Sequence, residues 1–362
     1  MYKIILLMEN NDALQSRVIN FLRFPMIVAV VLQHAFLESV KVNMPEVGIP
    51  VYHNLSFLIS KVFAYVAVPL FFFISGYLFF YHTSFSFSVY KRKLHSRART
   101  LLVPYLFWNV VILVCHWGVY LFSPISLTSG YYKLVCDYSW LDYLKIFWAV
   151  NGTFPINGAL WFVRDLMIMI VCSPLVYWAL RYLRWCILVI FGVVWLLGGT
   201  LEIPQMTAIF FFSLGAWFSL EGRNFVEDFR VFYPCGVILY LIVALGTILI
   251  RESSGFVFIS NAGILLGLVS CVAITRHYVN KGCWRASAFL TGSCFLVYAF
   301  HHLPLNMFVR LWFRFTHPVS DWQFVLIYFM APITIIAIDL LIYALLKKRY
   351  PKFVAIITGG RS

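Results

Sequence analysis

Ten apolar runs, most of them near twenty residues long, follow one another along the chain with very few charges inside them. They lie near 18–38, 60–80, 101–122, 160–180, 185–200, 204–220, 231–250, 256–275, 289–312 and 322–346. A run of this length that enters lipid must satisfy every backbone N–H and C=O without water, which leaves only helices or closed barrels. The runs are too long and too continuous for barrel strands. The 362 residues are 62% hydrophobic and 12% charged, against about 25% charged in an ordinary soluble domain. The fold class expected is therefore all-α: a polytopic membrane protein with about ten transmembrane helices in the lipid bilayer. Aromatic residues make up 19% of the chain, with Trp and Tyr frequent at segment ends, as in interfacial belts.

The basic residues set the expected orientation. With both termini cytoplasmic, 19 Lys and Arg fall inside, among them Arg17, Lys91, Arg181, Arg223, Arg276 and Lys347. Five fall outside: Lys41, Lys133, Lys145, Arg251 and Arg314. That asymmetry is the positive-inside pattern. It also accounts for the net charge of +14 without a nucleic-acid partner, because the cations are scattered in short clusters between apolar runs. The expected place is the inner (cytoplasmic) membrane, multi-pass. Residues 16–346 read as one membrane-embedded domain, with short cytoplasmic tails at 1–15 and 347–362 and no appended soluble domain. No small-residue cleavage site follows MYKIILLM, and acidic Glu9 and Asp12 come next.

Eight cysteines form no evident disulfide set. Six lie in apolar runs, Cys283 is in a basic loop, and Cys136 alone is in an outer loop. No CxxC or His/Cys ligand spacing points to a metal. The outer loop, roughly 124–158, is rich in aromatics, including Tyr131, Tyr132, Tyr138, Trp140, Tyr143 and Trp148, with Asp137 and Asp142 among them. Its WLDYLKIFWAV stretch reads as a short interfacial helix. Flat aromatic faces with carboxylates suit a sugar, and they equally suit a loop floating at the headgroups. Asn151-Gly152-Thr153 is formally a glycosylation sequon.

Ionisable residues inside apolar runs are expensive and mark function by default. The first run carries Arg23 and His34, eleven residues apart. Three helical turns separate them, so they share one helix face about 16 Å apart along the axis. A positioned histidine with a cation on its face suits proton transfer. Snorkelling of Arg23 and an inter-helical bond from His34 is the plainer alternative. The cluster YKRKLHSRART, residues 90–100, holds the densest positive charge. Arg92 and Lys93 suit positive-inside topology, while Arg97 and Arg99 lie nearer the membrane, where a guanidinium fork suits donor phosphates. In the fourth run Arg164 and Asp165 are adjacent, and neighbours on a helix do not face one another, so each is expected to find another partner. His301 and His302 fall near the middle of the ninth run, where one reads as a buried hydrogen-bonding histidine and the two are not both expected to be functional. Lys61 and Asp339 read as structural ties, and His116 as a packed core histidine.

These residues carry a resemblance. The Arg23–ten residues–His34 spacing is similar to the signature of the acyltransferase-3 family. VPLFFFISGYLFF (68–80) and RARTLLVPYLFWN (97–109) resemble its second and third helices, GALWFVRDLMI (158–168) its Trp-Phe-x-x-Asp-Leu block, and FLVYAFHHLP (295–304) its Tyr-x-x-His block. The resemblance covers about residues 16 to 346. It implies an integral membrane enzyme that O-acylates, mostly O-acetylates, envelope saccharides from cytoplasmic acyl-CoA. It makes His34 and Arg23 the essential pair and Arg92, Lys93, Arg97 and Arg99 candidates for acyl-CoA binding, the match to the family's arginine motif being loose. It makes Trp161, Arg164, Asp165 and His301 site-lining residues.

The chemistry is consistent with that reading. A sugar hydroxyl is a poor nucleophile, so a histidine base would help it attack a thioester, and a cation near the oxyanion or the donor phosphates would lower the barrier. The function expected is an O-acetyltransferase using acetyl-CoA or another acyl-CoA as donor substrate, with no permanently bound cofactor. His34 would be the general base or acyl carrier. The acceptor would be a saccharide or lipid-linked saccharide. The rival is a transporter or flippase for such a sugar, with Arg23, Arg164 and the histidines lining its path; no internal repeat supports it.

Overall fold

The computed structural model describes residues 2–37, 48–83, 85–122, 133–149 and 154–360. Lys41, Tyr131, Tyr132 and the Asn151–Thr153 sequon lie outside the described residues. Among those described, the regular structure is helical, with a single isolated bridge between Glu202 and Gln205. Every one of the ten apolar runs falls on helix. Five helices are long and apolar enough to cross a membrane, and up to eight if each bent pair is one span.

Helix α1 is Tyr2–His34, α2 is Pro50–Phe80 and α3 is Phe87–Leu121. The fourth run is a pair, Gly158–Val171 and Ser173–Leu183, bent by 61°. The fifth and sixth are shorter helices, Trp185–Leu196 and Met206–Leu220. The seventh is another pair, Phe225–Phe232 and Cys235–Ile250, bent by 72°. Phe256–Asn280 follows, then Ala288–Phe300 and His302–Thr316 bent by 65°, then Asp321–Arg349. Two expectations change. The basic stretch 90–100 is helical and runs into the third span. The N-terminal fifteen residues belong largely to α1.

The chain divides into two compact units. Unit 1 comprises Met1–Val30, Lys61–Leu94 and Ile168–Thr291. Its packing centres on the later half of α2 against Met206–Leu220. A Cβ on Gly76 would lie 2.0 Å from the Phe212 carbonyl oxygen, and one on Gly215 would lie 1.9 Å from that of Phe73. The two backbones touch where each helix offers a glycine, the small-residue crossing of helices that have no hydrophobic drive to associate in lipid. Met206–Leu220 is apolar on nearly all sides and buries Phe210, Phe211, Phe212 and Ala216, as a helix enclosed by others does. At one end of the unit the Tyr77 hydroxyl donates to Gln15 Oε1 and the Arg223 carbonyl, both at 3.1 Å. Nearby, Glu227 binds Arg276 through both oxygens at 3.1 Å and Arg230 at 2.9 Å.

Unit 2 comprises Val31–Ser60, His95–Met167 and Gly292–Ser362. The first backbone N–H groups of α2 have no intrahelical acceptor. The Asp321 carboxylate takes them from Val51 at 2.8 Å and Tyr52 at 2.7 Å, a favourable anion at a helix N-terminus. The C-terminal stretch, expected to be a tail, forms helix Pro351–Ile357 and packs on α3: Trp108 Nε1 donates to the Ile357 carbonyl at 3.0 Å. Gly359 follows at φ +70°, its Cα so close to the Thr100 carbonyl that a Cβ would sit 2.2 Å from it. The interfacial helix is present as Trp140–Lys145, opened by a capping box of Ser139 and Asp142. The Ser139 N–H and hydroxyl hold the Asp142 carboxyl below its ordinary range.

Two outcomes follow from this packing and exposure. Gly215→Val should force the crossing apart and destabilise the protein by about 1–3 kcal/mol or more, read as a lower melting temperature of detergent-solubilised protein; an unchanged melting temperature would refute the crossing. Cys136 and Cys283 are both exposed. In variants retaining one of them, charge asymmetry expects a membrane-impermeant maleimide added to spheroplasts to label Cys136 and spare Cys283. The reverse pattern would invert the orientation.

Candidate active site

His34 is the last residue of α1, and a helix end leaves its final carbonyls unpartnered. The Ser60 hydroxyl donates to one of them, Leu32, at 2.6 Å, and accepts from the Tyr328 hydroxyl at 2.8 Å. Three residues beyond His34, the Leu37 N–H donates to the buried Tyr52 hydroxyl at 2.9 Å. The backbone is thus fixed on both sides of a half-buried imidazole.

His301 was expected near mid-helix. It stands instead at the 65° break between Ala288–Phe300 and His302–Thr316. Its Nδ1 lies 2.9 Å from the Tyr298 carbonyl and 3.1 Å from that of Val297. Carbonyls only accept, so Nδ1 carries the hydrogen and donates, closing the end of the preceding helix. In the neutral ring Nε2 is then an acceptor. It is buried and has no hydrogen-bond partner among the described residues.

The three histidines meet. The His34 ring centroid lies 5.2 Å from that of His301, tilted by 46°, and 4.8 Å from that of His302, edge-on at 70°. Asn306 Nδ2 donates to His302 Nε2 at 3.4 Å. A ladder of polar side chains anchors the helix break. Asn157 Nδ2 donates to the Ala299 carbonyl at 2.8 Å, and its N–H to Asn109 Oδ1 at 3.2 Å. Asn109 Nδ2 donates in turn to the Tyr105 carbonyl at 2.8 Å, and the Tyr298 hydroxyl to the Ala159 carbonyl. The turn Gly158–Leu160, which opens helix Trp161–Val171, is therefore bonded to the chain just ahead of His301.

That helix carries the buried ion pair. Arg164 and Asp165 are 1% and 0% exposed. Arg164 folds its guanidinium back onto its neighbour, donating from Nε at 3.0 Å and Nη2 at 2.9 Å to Asp165 Oδ1, a pairing that helix spacing does not foresee. Its length spans the angle between neighbouring positions. Nη1 donates to the Trp148 carbonyl at 2.7 Å, so the backbone of the aromatic 133–149 segment helps to hold the cation. Trp161, half-buried, begins the helix. Asp339 makes no hydrogen-bonded tie: both side-chain oxygens are buried without a hydrogen-bond partner among the described residues. Lys61 lies over the Tyr65 ring, 5.5 Å from its centroid. His116 is buried, as expected of a packed histidine.

Arg23 belongs to unit 1 and His34 to unit 2, on one unbroken helix. Arg23 is half-buried and has no ion-pair or hydrogen-bond partner among the described residues. Arg92 and Lys93 belong to unit 1, Arg97 and Arg99 to unit 2, along one helical run. Arg92 and Arg99 are exposed, Arg97 is half-buried, and Lys93 donates to Thr83 Oγ1 at 2.7 Å and to the Phe79 carbonyl. An apolar cavity of about 240 Å³ in unit 1, lined by Met169, Val176, Phe191 and Ser213 among others, holds none of these residues.

Sequence reasoning named His302 without placing it in the site, and passed over Asn109, Asn157 and Asn306. Two adjacent histidines in an apolar run do signal a helix irregularity, since both cannot share one face. The asparagines gave no signal, because their partners are backbone groups remote in sequence. Among the described residues no group of three or more His, Cys, Asp or Glu side chains is arranged to hold a metal ion.

The acyltransferase-3 family model, described as an acyltransferase domain, matches residues 17–344. The succinoglycan biosynthesis protein ExoH of Rhizobium meliloti (strain 1021) is 28% identical over 310 residues, 82% of this chain and 80% of that protein. No solved structure matches the chain. The matched span takes in all three histidines, the buried ion pair and the basic helix, and the chain belongs to the acyltransferase-3 family as a multi-pass membrane acyltransferase.

Proposed function

We propose that the protein O-acetylates a saccharide of the cell envelope in the inner (cytoplasmic) membrane, taking the acetyl group from cytoplasmic acetyl-CoA. The observation that carries the reading is the meeting of His34, His301 and His302 at the broken helix, within a chain of an acyltransferase family. The similarity to a succinoglycan biosynthesis protein favours a polysaccharide or its lipid-linked precursor as acceptor.

His34 acts as base. As the sugar oxygen attacks the thioester carbonyl, His34 takes its proton, an O–C bond forms and the C–S bond breaks. The electron pair leaves on sulfur, and the proton passes from His34 to the thiolate, giving CoA-SH and a restored imidazole. Arg23 lies about 16 Å along the helix from His34, too far for both to touch the reacting carbon. Its role is with the donor's charged phosphates, as is that of Arg97 and Arg99, whose forks suit phosphate oxygens. Trp161 lines the site, and the Arg164–Asp165 pair holds the scaffold beneath it.

Mass spectrometry of surface polysaccharide from cells with and without the protein tests this reading. One acetyl increment per modified sugar is expected, restored by wild type and not by His34→Ala. In isolated membranes His34→Ala should lower acetyl transfer about 100- to 10,000-fold. Full transfer in that variant would remove His34 from the chemistry. Glycans unchanged in composition but scarcer at the surface would point to transport instead. For the scaffold, Asp165→Leu should cost about 3–5 kcal/mol by stranding a buried cation, whereas Arg164→Met with Asp165→Leu should recover most of that stability. Equal melting temperatures for the single and double variants would contradict the pairing.

A further inference from the structure

We propose that His301 is a positioning residue for His34, its Nε2 accepting a hydrogen bond from the His34 ring while that ring carries the acceptor's proton. The inference rests on the reading of His34 as base. A fully buried imidazole acceptor without a partner is rare enough to need a reason. His301 cannot relieve it by flipping, because Nδ1–H already serves the carbonyls of Val297 and Tyr298, and a flip would set a C–H against them.

Two imidazoles joined by an N–H···N bond of ordinary length have centroids about 5 Å apart. His34 and His301 stand at 5.2 Å, while His301 and His302 are 6.3 Å apart. His302 is the other ring near His34, but its Nε2 is occupied by Asn306. The exposures divide the labour. His34 is half-buried and open to a substrate, and His301, 0% exposed, stands behind it. When His34 takes the hydroxyl proton it becomes a donor at both nitrogens, and the acceptor it meets is His301 Nε2. No proton passes to His301: once the thiolate is released, His34 returns the proton to sulfur and His301 Nε2 is again an unbonded acceptor. The arrangement resembles an aspartate orienting a catalytic histidine, with a neutral acceptor that costs less to bury than a charge.

The test uses full-length protein in membranes. Asparagine can offer an amide hydrogen in place of Nδ1–H and so keep the helix break closed, but it has no counterpart to Nε2. His301→Asn should lower kcat about 10- to 100-fold, the worth of one hydrogen bond to a charged group, and leave KM for acetyl-CoA unchanged. His301→Gln, whose Oε1 can replace Nε2 as acceptor, should recover part of that loss; if it does not accumulate in the membrane, His301→Asn decides alone. Added to His34→Ala, His301→Asn should lower the residual rate no further, because residues that act as a unit are not additive. Wild-type kcat in stable His301→Asn, or a loss that persists in full without His34, would overturn the proposal. Undiminished transfer in His34→Ala would instead strike the underlying reading.

Discussion

In an apolar medium an unpartnered backbone carbonyl costs as much as a lost hydrogen bond, and unit 2 is arranged around places where helices stop. At each stop a side chain donates to a carbonyl of the ending helix, alone or beside a backbone N–H. Ser60 takes that of Leu32, His301 those of Val297 and Tyr298, Asn157 that of Ala299, and Trp108 that of Ile357. The same bonds that satisfy backbone fix His34 at the end of one helix and His301 at the break of another. Structural need and chemical placement are met by the same atoms.

The buried charges obey the same rule with a larger penalty. Arg164 spends three nitrogens, two on Asp165 and one on the Trp148 carbonyl, and is thereby held without solvent. A pair so enclosed adds little net stability over an apolar replacement, but breaking it is costly. Its value lies in fixing one geometry where the chain at Trp148 meets helix Trp161–Val171. Asp339 has no such compensation among the described residues, and the fold provides no account of why a carboxylate stands there.

Much of this was legible in the sequence. Run length and hydropathy marked the chain as a helical membrane protein, because a lipid-facing helix must be apolar along its whole length, although five to eight candidate spans stand where about ten were expected. Arg23 and His34 stood out as ionisable groups where burial is expensive. Hydropathy says nothing about direction, so the bends within 158–183, 225–250 and 288–316 were invisible, and His301 was set in a helix middle instead of at a break. A partner beyond its neighbour was expected for Arg164 and is the Trp148 carbonyl; the bond to Asp165 was not foreseen, because spacing rules describe where Cβ atoms point, whereas a long guanidinium can reach around them. Met206–Leu220 is short for a span, yet the glycines at 76 and 215 let it pack backbone to backbone inside unit 1. The approach of His302 to His34 depends on chain segments some 270 residues apart, which no local pattern records.

Why a helix break should carry the chemistry follows from what each alternative would leave. A histidine in the middle of an intact helix finds its neighbouring carbonyls already engaged, and its ring must seek partners on another helix. At a break, the carbonyls of Val297 and Tyr298 hold the ring through one nitrogen and so define what the other can do. His301 is held in that way, and its second nitrogen is oriented before any substrate arrives. Preorganised polar groups of this kind are worth more in a water-poor site than in solution, because no reorganisation is needed as charge develops. A chain that spans lipid has few ways to hold such a group in place, and an interrupted helix is one that its own backbone supplies.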